Sequence, residues 1–419
     1  MKNRQIKTVK DVADWRLCTG CGACLYGCKN GAVELHDFYD YGIRPVVNGT
    51  CVNCSECLSV CSGFTNYPYK IDTNTTPIPE LLEDWGPVLE IWEGYATDKT
   101  TRHNGSSGGI ATALSLYCLE HEGANGVVHI NADKDKPWLN RTIFDTSRDG
   151  ISKSCGSRYA PASPCDGFKY IETSKSAVFI GKGCDISSLR NTQKSFPALR
   201  ENLLCAIGIF CAGTPSTRAT LNLLDSHKTP PTSVHELRYR GMGWPGNFAI
   251  RRTGELKFTP YATYKESWGF LQRYRPLRCY LCPDGTAETA DISCGDPWYR
   301  SPNNETDGYS LVLVRTERGK QILEAARDKG YISVRKVNPD LLEKSQKNLK
   351  AKREEIAGRL FVLGLAGVPT PRFFGRPLWK KWWRIETHRK LKSLVSTAKR
   401  IIKRRLFRPE EYRNTINHD

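Results

Sequence analysis

The sequence predicts an α+β or α/β chain in three parts: a small cysteine-rich module, a mixed-sheet α/β domain and a basic helical tail. Three observations predict it. Eight cysteines repeat one spacing within residues 18–61, and short apolar runs alternate with helical patterns between about 90 and 345. Fourteen Lys and Arg then stand against one acidic residue between 371 and 408. At 419 residues the chain is long enough for two to three domains, here 1–70, a linker at 71–90, 91–345 and 346–419. A composition of 39% hydrophobic and 25% charged residues is that of a globular protein, which excludes collagen and long-range disorder. No stretch approaches the ~18 consecutive apolar residues of a transmembrane helix. The start, Met1-Lys-Asn-Arg-Gln-Ile-Lys7, is basic but leads into no apolar core, so a cytoplasmic chain without a secretory signal is expected.

The cysteine module comes first. Its two runs are Cys18-x2-Cys21-x2-Cys24-x3-Cys28 and Cys51-x2-Cys54-x2-Cys57-x3-Cys61. Three thiolates two residues apart wrap one cubane from a tight loop, and the fourth reaches across to the other cluster. That rule assigns Cys18, Cys21, Cys24 and Cys61 to one [4Fe–4S] cluster, and Cys51, Cys54, Cys57 and Cys28 to a second. A disulfide scaffold would need an oxidising compartment, and zinc sites use two close pairs. The run resembles bacterial-type ferredoxins, although Lys29 and Ser62 stand where a proline usually follows the fourth cysteine.

A polar, proline-bearing linker, Asp72-Thr-Asn-Thr-Thr-Pro-Ile-Pro79, follows. Beyond it, strands are expected at 126–130, 177–180, 206–210 and 310–315, and helices at 110–121 and 317–329. The runs Ala177-Val-Phe-Ile180 and Ala206-Ile-Gly-Ile-Phe210 read as buried parallel strands. Cys184 and Cys211 lie just beyond them, where open α/β sheets place ligands. The pair Cys279-Tyr-Leu-Cys282 has the spacing of a metal or redox site, with Cys294 shortly downstream. The remaining cysteines read as core residues. Asn104-Gly-Ser-Ser-Gly-Gly109 precedes a helix start and suits a phosphate, or equally a ligand-free cap turn. No G-x-G-x-x-G fingerprint is present.

Several segments together resemble the coenzyme F420 hydrogenase/dehydrogenase beta-subunit family. They are Ser106-Ser-Gly-Gly109, Gly156-Ser-Arg-Tyr-Ala-Pro-Ala-Ser163, Gly181-Lys-Gly-Cys-Asp-Ile186 and Phe210-Cys-Ala-Gly-Thr-Pro-Ser216. Cys279-Tyr-Leu-Cys-Pro-Asp284 and Ala290-Asp-Ile-Ser-Cys-Gly-Asp296 complete the set. The resemblance implies a flavin and iron–sulfur oxidoreductase with a fused ferredoxin module. It implies FAD near Ser106, Ser107, Gly108 and Gly109, with Arg158, Tyr159 and Lys182 close by, and Lys182 or Arg158 stabilising a reduced flavin. It also implies a third [4Fe–4S] cluster, with Cys184, Cys211, Cys279 and Cys282 as ligands and Cys294 in reserve. Gly183 departs from the proline usual there. Clusters pass single electrons whereas a flavin also handles pairs, so the expected function carries electrons from the clusters to FAD and on to F420 or another small molecule. The alternative is a non-catalytic subunit that relays electrons to a partner enzyme. Aromatic residues in Gly241-Met-Gly-Trp-Pro245 and Trp268-Gly-Phe270 line a pocket for a flat ring or fill a core.

The tail carries a local net charge of +13 of the chain's +18. Trp379-Lys-Lys-Trp-Trp-Arg384 precedes Leu391, Leu394, Val395, Ala398, Ile401, Ile402 and Leu406, an amphipathic basic helix. It suits the inner, anionic face of a membrane or a docking partner; no nucleic acid is expected. A redox partner protein or a small-molecule donor completes the expected set of partners.

Overall fold

A computed structural model describes residues 5–67, 75–303 and 306–412, so linker residues 72–74 and the last tail residues lie outside it. The centre is an eight-stranded mixed sheet. Its strands, in chain order, are β4 (Glu90–Ala96), β5 (Gly126–Ala132), β6 (Asn140–Asp145), β7 (Ala177–Lys182), β8 (Leu203–Ile209), β12 (Ile292–Gly295), β13 (Ser310–Val314) and β14 (Ile332–Lys336). Their order across the sheet is β14-β4-β13-β12-β8-β7-β5-β6. The four inner strands β12, β8, β7 and β5 run parallel, and antiparallel neighbours flank them on both sides. The four expected strands are all present. The two predicted as buried and parallel, β7 and β8, pair along their whole length. Continuous apolar runs suit them because both faces of the sheet are covered.

Helices Ile110–His121 and Glu317–Asp328 cover one face, where Leu114, Tyr117, Ile322 and Leu323 pack on Val127, Val178, Ile207 and Ile292. Glu317–Asp328 starts where Thr316 accepts a hydrogen bond from Gly319 N, the expected Ncap chemistry. On the opposite face, Phe168, Ile171, Ile186 and Leu189 pack on Val128 and Phe179 together with Ala23 and Val60 of the cysteine module. The module is therefore seated on the sheet domain. It holds the antiparallel hairpin β1 (Val33–Phe38) and β2 (Gly42–Val47), and the short strand β3 (Thr65–Asn66).

A small antiparallel sheet was not anticipated: β9 (Val234–Arg238), β10 (Asn247–Arg252) and β11 (Thr259–Thr263), backed by helix Tyr264–Leu271. Its strands carry several charged residues and two register shifts, so the period-2 signal is weak.

The basic tail is built into the fold. Helices Ile356–Leu365 and Thr387–Lys403, with the turn that follows, place Leu363, Ile401 and Leu406 in one core with Val12, Leu17, Cys18, Cys24 and Cys61 of the module. Strand β15 (Arg372–Phe373) pairs with β3. Arg376 donates to Asn66 Oδ1 and pairs with Glu288 at 2.9 Å, and Arg353 closes on the other oxygen of Glu288. The apolar residues expected on one helical face divide between two. Leu394, Ile401 and Leu406 pack inward, while Leu391, Val395 and Ile402 are exposed. The most deeply buried strip is Ser393, Thr397 and Ile401, with the small Ser393 allowing close approach to Gly358 and Trp382.

Candidate functional site

The two cysteine loops of the module have the same backbone. Gly20 and Gly22 lie in the left-handed region, at φ +75° and +90°, and Asn53 and Ser55 hold the equivalent positions at +56° and +64°. These alternating left-handed residues curl each loop so that its three cysteines turn inward. Cys28, Cys51, Cys54 and Cys57 line one cavity near the surface, so the fourth cysteine of the first run joins the second loop. The other set is buried. Burial and then the neighbouring Cys18, Cys21 and Cys61 push the Cys24 thiol well up, and burial with Cys21 and Cys18 takes Cys61 to about 12. Cys21 is the exception, held at about 6 chiefly by a hydrogen bond from Cys165. All 17 cysteines are free thiols.

Cys184, Cys211, Cys279 and Cys282 line a single second cavity. Cys184 opens helix Gly183–Thr192 directly after β7, Cys211 lies just beyond β8, and the short helix Leu277–Tyr280 carries Cys279. Cys294 stands apart, buried in β12 within the hydrophobic core. Among the described residues, no three Cys, His or carboxylate side chains are arranged to hold one metal ion. The cysteine sets at Cys28 and Cys184 surround cavities instead, and a soft thiolate donor set around a space fits an iron–sulfur cluster.

The buried cysteine set of the module adjoins this cavity. Thr19 lines it, Ser62 Oγ donates to Cys184 O at 2.8 Å, and Cys21 Sγ lies 3.3 Å from Ser188 Oγ. Arg278, fully buried beside Cys279, donates to Gly63 O at 2.8 Å and Ser62 O at 3.1 Å. Arg278 and Lys352, a second cation on the cavity wall, have no motif of their own in the sequence. Gly183 has a local reason: a Cβ there would lie 2.8 Å from the Asp284 carboxyl, so the proline usual in the family would collide with it.

Lys182 faces this cysteine cavity, where its ammonium bonds both oxygens of buried Asp185, at 2.7 and 2.9 Å. Burial works against its charge, yet Asp185 and then Cys184 hold the ammonium protonated far up the scale. Arg158 lies elsewhere. Its guanidinium reaches Asn140 Oδ1 and the carbonyls of Leu237, Pro137 and Leu139, with Tyr239 beneath it. The structure therefore gives these two residues separate neighbourhoods.

The Gly-Ser segment lies at a meeting of loops. Ser106 Oγ accepts from Ser157 N at 2.6 Å, and Ser107 Oγ and Gly108 N both reach Ser310 Oγ. A Cβ on Gly108 would sit 2.6 Å from Gly94 O, so the segment lies flat against β4 and β13. Gly109, at φ +75°, caps helix Ile110–His121. Met242 N donates to His103 O, which brings in the 241–245 loop. Beside these loops stands a group that sequence reasoning left scattered. Arg240 forms a two-pronged pair with Asp296 at 2.7 and 2.8 Å, and Trp244 Nε1 donates to the same carboxylate. Tyr264 stacks on Trp298, whose other neighbour is Trp244, and Tyr159 packs on Trp268 and Tyr239. Asp296 ends a segment quoted for the family resemblance, but Arg240 carried no signal beyond preceding Gly241.

Comparison with known proteins bears on this arrangement. Residues 91–168 match the model for the N-terminal part of the coenzyme F420 hydrogenase/dehydrogenase beta subunit, and residues 174–340 match the model for its C terminus. The chain belongs to the coenzyme F420 hydrogenase/dehydrogenase beta-subunit family. A relative in that family, the coenzyme F420 hydrogenase subunit beta of Methanosarcina barkeri, is 27% identical over 295 residues, 65% of this chain and 95% of its own length. The coenzyme F420-dependent sulfite reductase of Methanocaldococcus jannaschii is 23% identical over 368 residues, 83% of this chain; the chain spans about half, 52%, of that protein. A chain of the F420-reducing [NiFe] hydrogenase complex from Methanosarcina barkeri shares the fold, with a TM-score of 0.54, 24% identity, and coverage of 68% of this chain and 96% of its own. Relatives named as F420-dependent oxidoreductases make this an oxidoreductase-family chain. The family matches begin at residue 91 and end at 340, so the cysteine module and tail lie outside them. No described helix is long and apolar enough to cross a membrane.

Proposed function

We propose that this chain is an iron–sulfur flavoprotein oxidoreductase that joins a redox partner protein or small donor to a small-molecule substrate of the F420 class. The observation that carries the reading is the convergence of Cys184, Cys211, Cys279 and Cys282 on one cavity adjoining the buried cysteines of the module. In this reading, [4Fe–4S] clusters held by the three cysteine sets and FAD at the 104–109 loops supply one-electron and two-electron chemistry respectively when bound.

The chain's own residues do the positioning. Arg278 ties the carbonyls of Ser62 and Gly63 to the Cys279 turn, and so fixes the two cysteine sets against each other. Lys182, braced by Asp185, gives the inner cysteine cavity a permanent cation. Arg158 orders the backbone carbonyls beneath Tyr159 and acts as a positioning residue in this reading. The Arg240–Asp296 pair and its aromatic neighbours form a rigid wall beside the Gly-Ser loop, suited to orienting a flat ring.

The test is turnover. Anaerobically purified whole chain, given dithionite-reduced ferredoxin and F420, is expected to consume oxidised F420 catalytically. Redox cycling of the protein without any product from F420 or another small molecule would favour the relay subunit instead.

We also place the protein on the inner face of the membrane. On helix Thr387–Lys403, exposed Leu391, Val395 and Ile402 form a stripe opposite the packed strip, flanked by exposed Lys392, Lys399 and Lys403. Trp383 is exposed nearby, with Lys390 Nζ 5.4 Å from its ring. An apolar stripe edged by lysines complements an anionic bilayer. Replacing Leu391, Val395 and Ile402 by Asp is expected to weaken sedimentation with phosphatidylserine-containing vesicles at least tenfold; equal sedimentation would reject the placement.

A further inference from the structure

We propose that Arg400 and Arg404 of the C-terminal helix, with Arg275 and Arg359, form a cationic collar on the Cys279–Cys282 turn. The collar raises the reduction potential of the iron–sulfur group held by Cys184, Cys211, Cys279 and Cys282. The inference rests on the proposed reading of that cysteine set and adds a role for a tail that lies outside the family match.

The collar closes on Tyr280, the residue after Cys279. The guanidinium carbon of Arg400 lies 4.2 Å from the centre of its ring, that of Arg275 at 5.0 Å and that of Arg404 at 5.8 Å. Arg359 donates to Tyr280 O at 2.6 Å. The cations are also tied to the cavity's other wall: Arg275 donates to Ala212 O, next to Cys211, and Arg404 donates to Arg275 O. Arg275 fills the space a side chain at Gly213 would need; a Cβ there would lie 2.5 Å from its Cδ.

Three like charges around one ring, with a fourth on the carbonyl of the same residue, repel one another. Burial and then the neighbouring Arg359, Arg404 and Arg275 depress the Arg400 guanidinium, against the pull of Tyr280. Arg359 is relieved by Glu355, but among the described residues no carboxylate pairs with Arg275, Arg400 or Arg404. Their combined positive field falls on the Cys279–Cys282 turn. One-electron reduction makes an iron–sulfur group more negative by one charge, with no proton taken up, and net charge nearby is one determinant of its potential. The ring faces held by cations leave Tyr280 itself as packing, while the charge acts on the turn that carries two of the four thiolates.

The experiment is a redox titration, followed by electron paramagnetic resonance, of the anaerobically purified whole chain with dithionite as reductant. In Arg400→Gln/Arg404→Gln the signal from this group is expected to need a lower potential. The reduced-to-oxidised ratio at fixed potential should fall about tenfold, ~59 mV for one electron. Arg400→Lys/Arg404→Lys should restore most of it, because charge rather than shape carries the effect. An unchanged midpoint with full iron content would overturn the inference, as would iron loss in the Gln variant, which would make the collar a structural brace. A wild-type chain lacking this third signal altogether would instead overturn the reading of the cysteine set.

Discussion

Replacing Cys279 and Cys282 together by Ala is expected to remove about four iron atoms per chain from a wild-type content of about twelve, leaving the ferredoxin-type signals in place. The asymmetry follows from the structure. The pair lines only the inner cavity, whereas the eight cysteines of the module are held by their own loops with matching left-handed turns. The substitutions remove one thiol on the short helix Leu277–Tyr280 and one just beyond it, in a turn anchored by Leu277 and Leu281 packing with Leu17, Leu363 and Ile401. The chain should therefore stay folded while losing one iron–sulfur group. Replacing Cys294 by Ala makes the contrast. It lies in the sheet core, so that variant should keep all its iron and lose only packing. Iron loss at Cys294 with retention at Cys279 and Cys282 would reverse the assignment.

Glu288→Gln is expected to destabilise the chain by about 3–5 kcal/mol, the cost of stranding buried cations. Glu288 is buried and receives Arg353 on one oxygen and Arg376 on the other; Arg353 lies on helix Lys347–Glu354 and Arg376 just before helix Leu378–Arg384. Arg376 also reaches Asn66 at the end of the cysteine module. One carboxylate thus joins the sheet domain, the module and the tail. Burial pushes the Glu288 carboxyl up, but Arg353 and Arg376 outweigh it and hold it at about 2. An unfolded Glu titrates near 4.3. The folded value is depressed, so the stabilisation is present above the unfolded value and is lost as pH falls from about 4.5 through about 2. Guanidinium midpoints measured at pH 7 and at intervals down to pH 3 should show this slope in the wild type and not in the variant. A difference below about 1 kcal/mol at pH 7 would contradict the clamp.

Much of the candidate site can be seen in the amino-acid sequence because its cysteines come in local spacings. The eight module cysteines repeat within one short segment, and Cys184 and Cys211 follow continuous apolar runs that read as buried parallel strands. Cys279 and Cys282 are found as a pair and through the family resemblance, and the structure brings all four to one cavity. What stayed hidden depends on long-range contact. Arg240 and Asp296 are 56 residues apart, and nothing local says that they share an aromatic wall. Arg278 and Lys352 are ordinary cations until folding places them at the cavity. The tail shows the limit most clearly. Its periodicity announces an amphipathic helix, yet the packed strip is Ser393, Thr397 and Ile401, with Ser393 in close contact with Gly358 and Trp382. Its cations divide as well. Some flank an exposed apolar stripe, and others close over Tyr280 beside the cysteine cavity.

In the proposed reading, three cysteine sets and one loop cluster make a single iron–sulfur flavoprotein. The most direct measurement is the iron, acid-labile sulfide and flavin content of the whole chain purified without oxygen. About twelve iron atoms, a matching amount of sulfide and one bound flavin per chain are expected. About eight iron atoms and no flavin would contradict the account, leaving a two-cluster module on a domain that holds neither cofactor.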